Sequence, residues 1–374
     1  VALEVVRANP YLLVNEEFRV EFSQADGLAL ALGVGHEDPL RLEAGLLFEM
    51  AHNNLNNGHT FLPRRKLVEA TGVLLEVPCQ MLEDCLTTLL DRGEAELERI
   101  AGQEAVYLPA LHDAEAFIAQ RLGEMSASRL LPPDGLDRLI DRIQREQRIT
   151  YAPQQRQAVE LAAERQVMLL TGGPGTGKTT CLRGVLDLFD RMGLETALAA
   201  PTGRAAKRLG ELCGTEASTI HRLLETGFDP HSGRLVFAKN SYAPLQADAV
   251  IVDETSMVDV PLMAALLDAL EGDCRLVLVG DPDQLPSVGP GNLFGDLIRS
   301  GTVPTVRLTE IFRQAAQSAI VRNAHLVNRG ELPDLRANDS DFFFLSRRDP
   351  QSVLDTIVDL CRRRLPERMG IPAD

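Results

Sequence analysis

Lys178, Thr179 and Thr180 stand directly behind a run of glycines in "TGGPGTGKTT" (171–180). Gly172 and Gly177 are the fixed glycines of G-x-x-x-x-G-K-[ST], and the stretch lies between an apolar run and an amphipathic one. Gly173, Pro174, Gly175, Thr176 and Gly177 would turn backbone N–H groups inward around phosphates, and the helix that begins here adds its positive end. Lys178 would put a full charge on the β- and γ-oxygens, and the Thr179 hydroxyl would sit on Mg²⁺, with Thr180 beside it. The chemistry is binding of a nucleoside triphosphate. Kinases, transporters and many motors share it, so the rest of the chain must say what the hydrolysis drives.

A second pair of groups follows in "AVIVDE" (249–254). Four apolar residues carry Asp253 and Glu254 to the carboxyl end of a buried strand, where open α/β sheets bind ligands. Asp253 suits the Mg²⁺ shell, and Glu254 suits orientation and deprotonation of an attacking water. "GDPDQLPSVGPG" (280–291) places Gln284 where its amide could sense a γ-phosphate, and "LTEIFRQ" (308–314) offers Arg313 as a guanidinium fork for a phosphoryl group in transition. Gln154 and Gln155, just ahead of a helix, could read an adenine edge, Gln155 being the one taken for the nucleotide site.

Two threonine-bearing helix starts come between these motifs. "APTGRAAKRL" (200–209) offers Pro201, Thr202, Arg204 and Lys207, and "STIHRLL" (218–224) offers Thr219, His221 and Arg222. A hydroxyl with free helix-end N–H groups at a sheet edge is a phosphate-contact arrangement. His221 reads equally as a packed helix residue. "GFDPHSGRLVFAKN" (227–240) breaks the α/β rhythm and reads as a β-hairpin projecting from the sheet.

The elements that must position these groups are apolar strands at 166–171, 195–200, 248–253, 275–280 and 304–308, alternating with amphipathic helices. That pattern is a parallel sheet covered on both faces. Ahead of it, 38–55, 63–71 and 78–93 read as helices, followed by two alternating stretches at 94–100 and 104–110. Three helices then a hairpin is the order of a winged helix, which can bind duplex nucleic acid, dock a partner or brace its neighbour. The divisions are therefore 1–112 (mostly helical, winged-helix-like), 113–149 (helical linker), 150–335 (nucleotide domain, hairpin insertion about 226–240) and 336–374, where a new α/β unit begins and stops.

Charge narrows the classes. The 374 residues carry 38 Lys/Arg against 54 Asp/Glu, a net charge of −16. Residues 1–150 hold 14 against 25 and residues 151–374 hold 24 against 29, so any nucleic-acid surface is a narrow track in the second part. The six cysteines form no CxxC pair and no Cys/His cluster, which argues against zinc and for reduced thiols in a cytoplasmic protein. No apolar run reaches the roughly 20 residues of a membrane span, and no spaced acidic set suggests a nuclease. The chain opens on Val1, as a piece of something longer would.

In order and spacing, Gln155, "GGPGTGKT", "APTGRAAKRL", "ASTIHRLL", "VDETSMVD", "GDPDQLPSVGPG" and "LTEIFRQ" resemble the helicase motifs of superfamily 1, and within it the RecD-like branch that includes the exonuclease V alpha subunit. "NPYLL" (9–13), "GHTFLP" (58–63) and "VYLP" (106–109) are similar to the long, stand-alone members. The resemblance implies a RecA-like P-loop domain, ATP and Mg²⁺ as cofactors, and movement 5′-to-3′ on single-stranded DNA into single-strand/duplex junctions. It further implies a role in repair, with single-strand-binding or repair proteins as partners, and the hairpin as a strand-separating pin; the acidic charge suits a monomer. "RVEF" (19–22) departs from the family's glycine-bearing "GIGF". The segment 336–374 would be the start of a second RecA-like domain, so this piece alone is expected to bind nucleotide weakly and to unwind nothing. A P-loop enzyme of another class, such as a kinase, and a non-catalytic subunit of a repair complex are the competing readings.

Overall fold

Short polar residues and prolines set the boundaries of the first helices. Asn9 accepts from the Tyr11 N–H at 3.1 Å to start a 3-10 turn at Pro10–Leu13, and Asp38 accepts from Leu40 N–H at 2.9 Å ahead of Pro39. The computed structural model describes residues 2–14, 20–229, 235–310, 317–336 and 341–370. They divide into two units, Val1–Gly173 with Gly177–Glu310, and Pro174–Thr176 with Ile311–Asp374.

The larger unit begins with α1 (Ala2–Ala8), α2 (Phe22–Ala31) and α3 (Pro39–Asn57). Then follow β1 (Phe61–Pro63), α4 (Arg64–Leu75), α5 (Cys79–Asp91), β2 (Glu96–Ile100) and β3 (Gln103–Tyr107), with antiparallel strand order β1-β3-β2. Helix, strand, two helices and a hairpin is the winged-helix order, and β1 is the strand that the sequence reading did not place. Tyr11, Phe22 and Ala29 share one core with Leu46, Leu67, Leu82, Leu86 and Val106, so the first helices and the winged helix are a single packed body. Arg41 is buried there, with both Asp26 carboxylate oxygens at 2.8 and 2.9 Å and the carbonyls of His36 and Leu75 accepting from its third nitrogen.

α6 (Pro109–Ala127) and α7 (Leu136–Gln147) occupy the segment expected as a linker, but they are packed into the nucleotide domain. Ile118, Leu122 and Met125 of α6 join one core and Ile140 and Ile143 of α7 the other.

The nucleotide domain runs α8 (Pro153–Glu164), β4 (Val167–Gly172), α9 (Lys178–Arg191), β5 (Thr196–Ala200), α10 (Gly203–Cys213), β6 (Ala217–Thr219) and α11 (Ile220–Leu223). It continues with β7 (Thr226–Phe228), β8 (Leu235–Phe237), β9 (Ala249–Val252), α12 (Val260–Asp268), β10 (Arg275–Gly280), α13 (Leu293–Ser300) and β11 (Thr305–Leu308). Six strands pair in the order β11-β4-β10-β9-β5-β6, all parallel. The unbroken apolar runs are explained by burial on both faces. Leu169, Val252, Leu276 and Leu278 face α6, α12 and α13, while Met168, Leu170, Ile251, Val277 and Val279 face α7, α8 and α9. Five strands lie where the periodicity places them within a residue or two; β6 is additional. β7 and β8 form a separate antiparallel ribbon, the expected hairpin, whose turn at 230–234 lies outside the described residues.

The smaller unit holds α14 (Ala319–Asn328), α15 (Pro350–Asp359), a π turn (Leu360–Arg364) and α16 (Leu365–Met369). The strand expected at the start of 341–370 is not formed. Residues 341–349 carry no helix or strand, and no described residue of this unit forms a strand that could take up their amides.

Candidate nucleotide site and nucleic-acid track

The carboxyl edge of the parallel sheet gathers most of the expected residues. β4, β10 and β9 are contiguous at its centre, so the loops after Gly172, Gly280 and Val252 open side by side. Gly175 and Gly177 have φ of 76° and 81°, a left-handed conformation that L side chains adopt at a cost, which is why the phosphate loop is glycine-bearing here. α9 starts at Lys178, with Thr179 and Thr180 in its first turn. The Lys178 ammonium donates to the Gly172 carbonyl and, at 3.4 Å, to that of Gly173, and it lies 3.9 Å from the Asp281 carboxylate.

Asp253 leaves β9 with its N–H donating to the Ala199 carbonyl at 2.9 Å, and its carboxylate accepts from Glu254 N–H at 2.9 Å. Burial pushes the Asp253 carboxyl above its ordinary range, against the opposing pull of the Glu254 amide, Lys178 and Arg208. Burial, and then the neighbouring Asp253 charge, raise Glu254 as well. Glu254 sits at φ 53°, strained for a residue with a side chain, and its Oε2 is buried without a hydrogen-bond partner. A half-buried carboxylate with a raised affinity for protons and one unpartnered oxygen has the chemistry of a proton acceptor.

Gln155 is turned further into the fold than the sequence expectation had it. Gln155 is 2 % exposed, and both ends of its amide are used inside the fold. Its Oε1 accepts from Ala152 N–H at 3.1 Å and its Nε2 donates to the Gly177 carbonyl at 3.4 Å. The Gln155 amide thus braces the end of the phosphate loop. Its neighbour Gln154 is half-buried and bonded to Thr309 at 2.9 and 3.1 Å. Gln284 is exposed in the turn after β10, its N–H donating to Asp281 O at 3.1 Å. Arg313 lies outside the described residues.

Asp281 was missed by sequence reasoning. Its side chain is 2 % exposed, faces Lys178 and accepts from Asp283 N–H at 3.1 Å. The signal was present: it is the first carboxylate after a strand that neighbours the phosphate-loop strand. A cavity of about 340 Å³ opens here between β10, β4, β11 and α13, with Thr171, Asp281, Asp283, Asn292 and Arg307 in its walls. Among the described residues no group of three or more His, Cys, Asp or Glu could hold a metal by itself. A cation at Thr179 and Asp253 would have to take its remaining ligands from phosphate and water, as Mg²⁺ can.

The two threonine helix starts adjoin. β5 and β6 pair in parallel with Ala200 opposite Thr219, so Pro201–Thr202 and Thr219 leave the same edge of the sheet. Thr202 accepts from Ala205 N–H at 3.3 Å and Thr219 from Arg222 N–H at 3.1 Å, each hydroxyl capping its helix. Arg204, Lys207, His221 and Arg222 are exposed. Among the described residues no carboxylate pairs with Arg204, Lys207 or Arg222, so the track keeps its positive charge within an acidic protein. The His221 ring stands 6.0 Å from that of Phe237, which fixes it against the base of the hairpin.

Comparison with known proteins decides the family. The model of an AAA domain (AAA_30) matches residues 150–342, and that of the "ATP-dependent RecD2 DNA helicase HHH domain" matches residues 1–61. The ATP-dependent RecD2 DNA helicase of Deinococcus radiodurans is 35 % identical over 84 % of this chain and 44 % of its own length. The chain belongs to the RecD-like branch of superfamily 1. RecBCD enzyme subunits RecD are also similar, that of Mycolicibacterium smegmatis at 42 % identity over 39 % of this chain and 30 % of its own length. That of Mycobacterium tuberculosis is 33 % identical over 73 % of this chain and 45 % of its own. The chain thus spans less than half the length of these relatives. The HHH-domain match ends at residue 61 and so covers the first helices, as far as α3, while the AAA-domain match covers the parallel sheet. Among the described residues no helix is long and apolar enough to cross a membrane.

Proposed function

We propose that this RecD-like chain carries the first motor domain of an ATP-dependent DNA helicase that moves 5′-to-3′ on single-stranded DNA and separates duplex ahead of it. The observation that carries the proposal is the shared sheet edge. The candidate ATP residues stand on β4, β10 and β9, and the candidate DNA residues on the adjoining β5 and β6. A kinase-like reading would need an acceptor pocket at that edge, where this chain has two capped helix starts with basic residues that no carboxylate among the described residues pairs.

Bound Mg²⁺–ATP would supply the electrophilic phosphorus and a leaving group already neutralised by the metal. Thr179 and Asp253 would hold the cation, and Lys178 would leave the loop carbonyls for the β- and γ-oxygens. Glu254 would take the proton of the attacking water on its unpartnered oxygen, and Gln284 would register the γ-phosphate. Thr202, Thr219, Arg204, Lys207 and Arg222 would grip successive phosphates, and the hairpin β7–β8, with Phe228 exposed at one edge, would meet the duplex. Polarity rests on kinship alone. Cytoplasmic location, repair partners and a monomeric state are part of the same reading, supported by six free thiols and an acidic surface.

Steady-state ATP hydrolysis by the full-length protein, with and without oligothymidine, tests the proposal. Strong stimulation by single strands is expected. Hydrolysis indifferent to DNA would overturn the assignment of the two helix starts.

A further inference from the structure

The segment "GHTFLP" (58–63) lies more than a hundred residues before the phosphate loop, yet its first residues hold the far end of the loop that carries Gln284. Gly58 ends α3 at φ 68°, and its carbonyl accepts from Gly291 N–H at 2.9 Å. A Cβ on Gly291 would lie 2.5 Å from Val260 Cγ2 and 3.5 Å from Thr60 Cγ2, so this glycine is seated between the N-terminal turn and the first turn of α12. Val260 N–H donates to Pro290 O at 3.0 Å, and the Ser287 hydroxyl lies 3.0 and 2.8 Å from the carbonyls of Gly289 and Gly291. At the near end the loop is fixed to Asp281, beside Lys178, through the N–H groups of Asp283 and Gln284. Between the two fixed ends stand Leu285 and Val288, 84 % and 88 % exposed.

We infer that the Gly58–Thr60 turn of the N-terminal body is a positioning element of the motor: it anchors the Gln284 loop so that a change at the γ-phosphate moves Leu285–Val288, and not the loop's far end. The inference deepens the proposed function and rests on it for the identity of the nucleotide and the DNA. A loop with one end released would follow Gln284 as a whole and deliver no defined displacement at its exposed middle. The turn is itself well anchored. Thr60 is buried, and its hydroxyl and that of Tyr107 are turned to the Glu115 carboxyl of α6.

The test uses the full-length protein with Gly58→Val and Gly58→Asn. A β-branched residue cannot hold the left-handed conformation of Gly58, whereas asparagine tolerates it, and a Cβ there meets only Gly289 O at 3.5 Å. Gly58→Val should lower the DNA-stimulated kcat about tenfold while leaving KM for ATP within about twofold, and Gly58→Asn should restore it. Hydrogen exchange should find the Gly291 amide protected in the unaltered protein and in Gly58→Asn, and unprotected in Gly58→Val. A folded Gly58→Val with unaltered stimulated kcat overturns the inference and leaves the proposed function standing. If oligothymidine fails to stimulate the unaltered protein, the proposed function has failed instead; the anchor is then judged on the Gly291 amide, whose free exchange overturns it. Should Gly58→Val not fold, Gly58→Ala is compared with Gly58→Asn: the methyl has room but strains the left-handed turn. A lowered kcat in Gly58→Ala that Gly58→Asn restores supports the anchor, and two variants both equal to the unaltered protein overturn it.

Discussion

Replacing Glu254 by glutamine should abolish turnover and at the same time make the protein more stable. The amide keeps the shape of the side chain but cannot accept a proton, and loss of a positioned general base lowers a rate by about 10²- to 10⁴-fold. At 1.36 kcal/mol per decade, that is about 3–5 kcal/mol of lost transition-state stabilisation. The stability change has the opposite sign. Glu254 keeps a buried oxygen without a partner, next to the Asp253 carboxylate, and burial and that neighbour both raise its carboxyl. A carboxyl that is raised in the folded state stabilises the protein below the ordinary glutamate range, and this contribution is lost as pH rises through the folded value. At neutral pH the native state therefore holds an ionised group that water would solvate better. Exchanging a charged orphan for a neutral one should return about 1 kcal/mol, which in a domain of this size lifts Tm by about 2–4 °C. The two readouts are single-turnover ATP hydrolysis and thermal melting from about pH 5 to 8, where the gap between variant and parent should widen with pH. Hydrolysis retained at the parental rate, or a variant that melts below the parent at neutral pH, would refute the role given to this carboxylate.

Gly184→Ala should cost about 1–3 kcal/mol by overpacking, because its Cβ would lie 2.2 Å from the Tyr151 hydroxyl. Urea melts should show part of that returned by adding Tyr151→Phe, and equal stabilities would contradict the packing of α9 on Tyr151. Arg41→Met should cost about 1–3 kcal/mol by leaving the half-buried Asp26 carboxylate with the Tyr11 hydroxyl as its remaining side-chain partner. Burial raises the Asp26 carboxyl, but hydrogen bonds from Arg41 and Tyr11 outweigh it and hold the group below its usual range. Its contribution is therefore present above the ordinary aspartate pKa and lost as pH falls through the folded value; an acid-melting profile that Arg41→Met leaves unaltered would refute the pairing. Arg204→Ala and Lys207→Ala should each weaken single-strand binding and reduce the slope of log K against log salt by about 0.7. A slope that does not move in binding isotherms would take both residues off the track.

What could be read in the sequence was whatever is written locally. Apolar runs of four to six residues ahead of Gly172, Asp253 and Asp281 marked the central strands, because a strand buried on both faces has no polar positions to spare. The glycines before Lys178 and the threonines before α10 and α11 marked their helix starts through conformation and capping. The rest depended on contacts made across the fold. β6 is three residues long and shows no apolar run, so only its pairing with β5 makes it a strand. Gln155 has the type and place of a base reader, but the depth to which α8 sinks beside Gly177 turns its amide inward. α6 and α7 looked like a linker because their apolar faces are narrow, and only the sheet faces they cover show where they belong. Gly58 and Gly291 are ordinary turn glycines until the backbone bond between them is seen.

The coupling that a motor needs is already drawn in the sheet. Asp253 N–H donates to Ala199 O at 2.9 Å, and Ala199 stands two residues before Pro201 on the strand that feeds α10. One hydrogen bond and two peptide units thus separate the carboxylate proposed for Mg²⁺ from the first candidate phosphate contact. Thr219 follows in the next strand, opposite Ala200. Strand ends joined in this way cannot shift independently without breaking ladder bonds. A displacement of Asp253 with the nucleotide must either be resisted by β5 or be carried into Thr202 and α10. No chain of remote side chains is required. The same stiffness explains why the Gln284 loop needs a separate anchor. Unlike Asp253, it leaves the sheet on a turn with no neighbouring strand, so its far end must be fixed from outside the sheet, and Val260 and Gly58 reach it there.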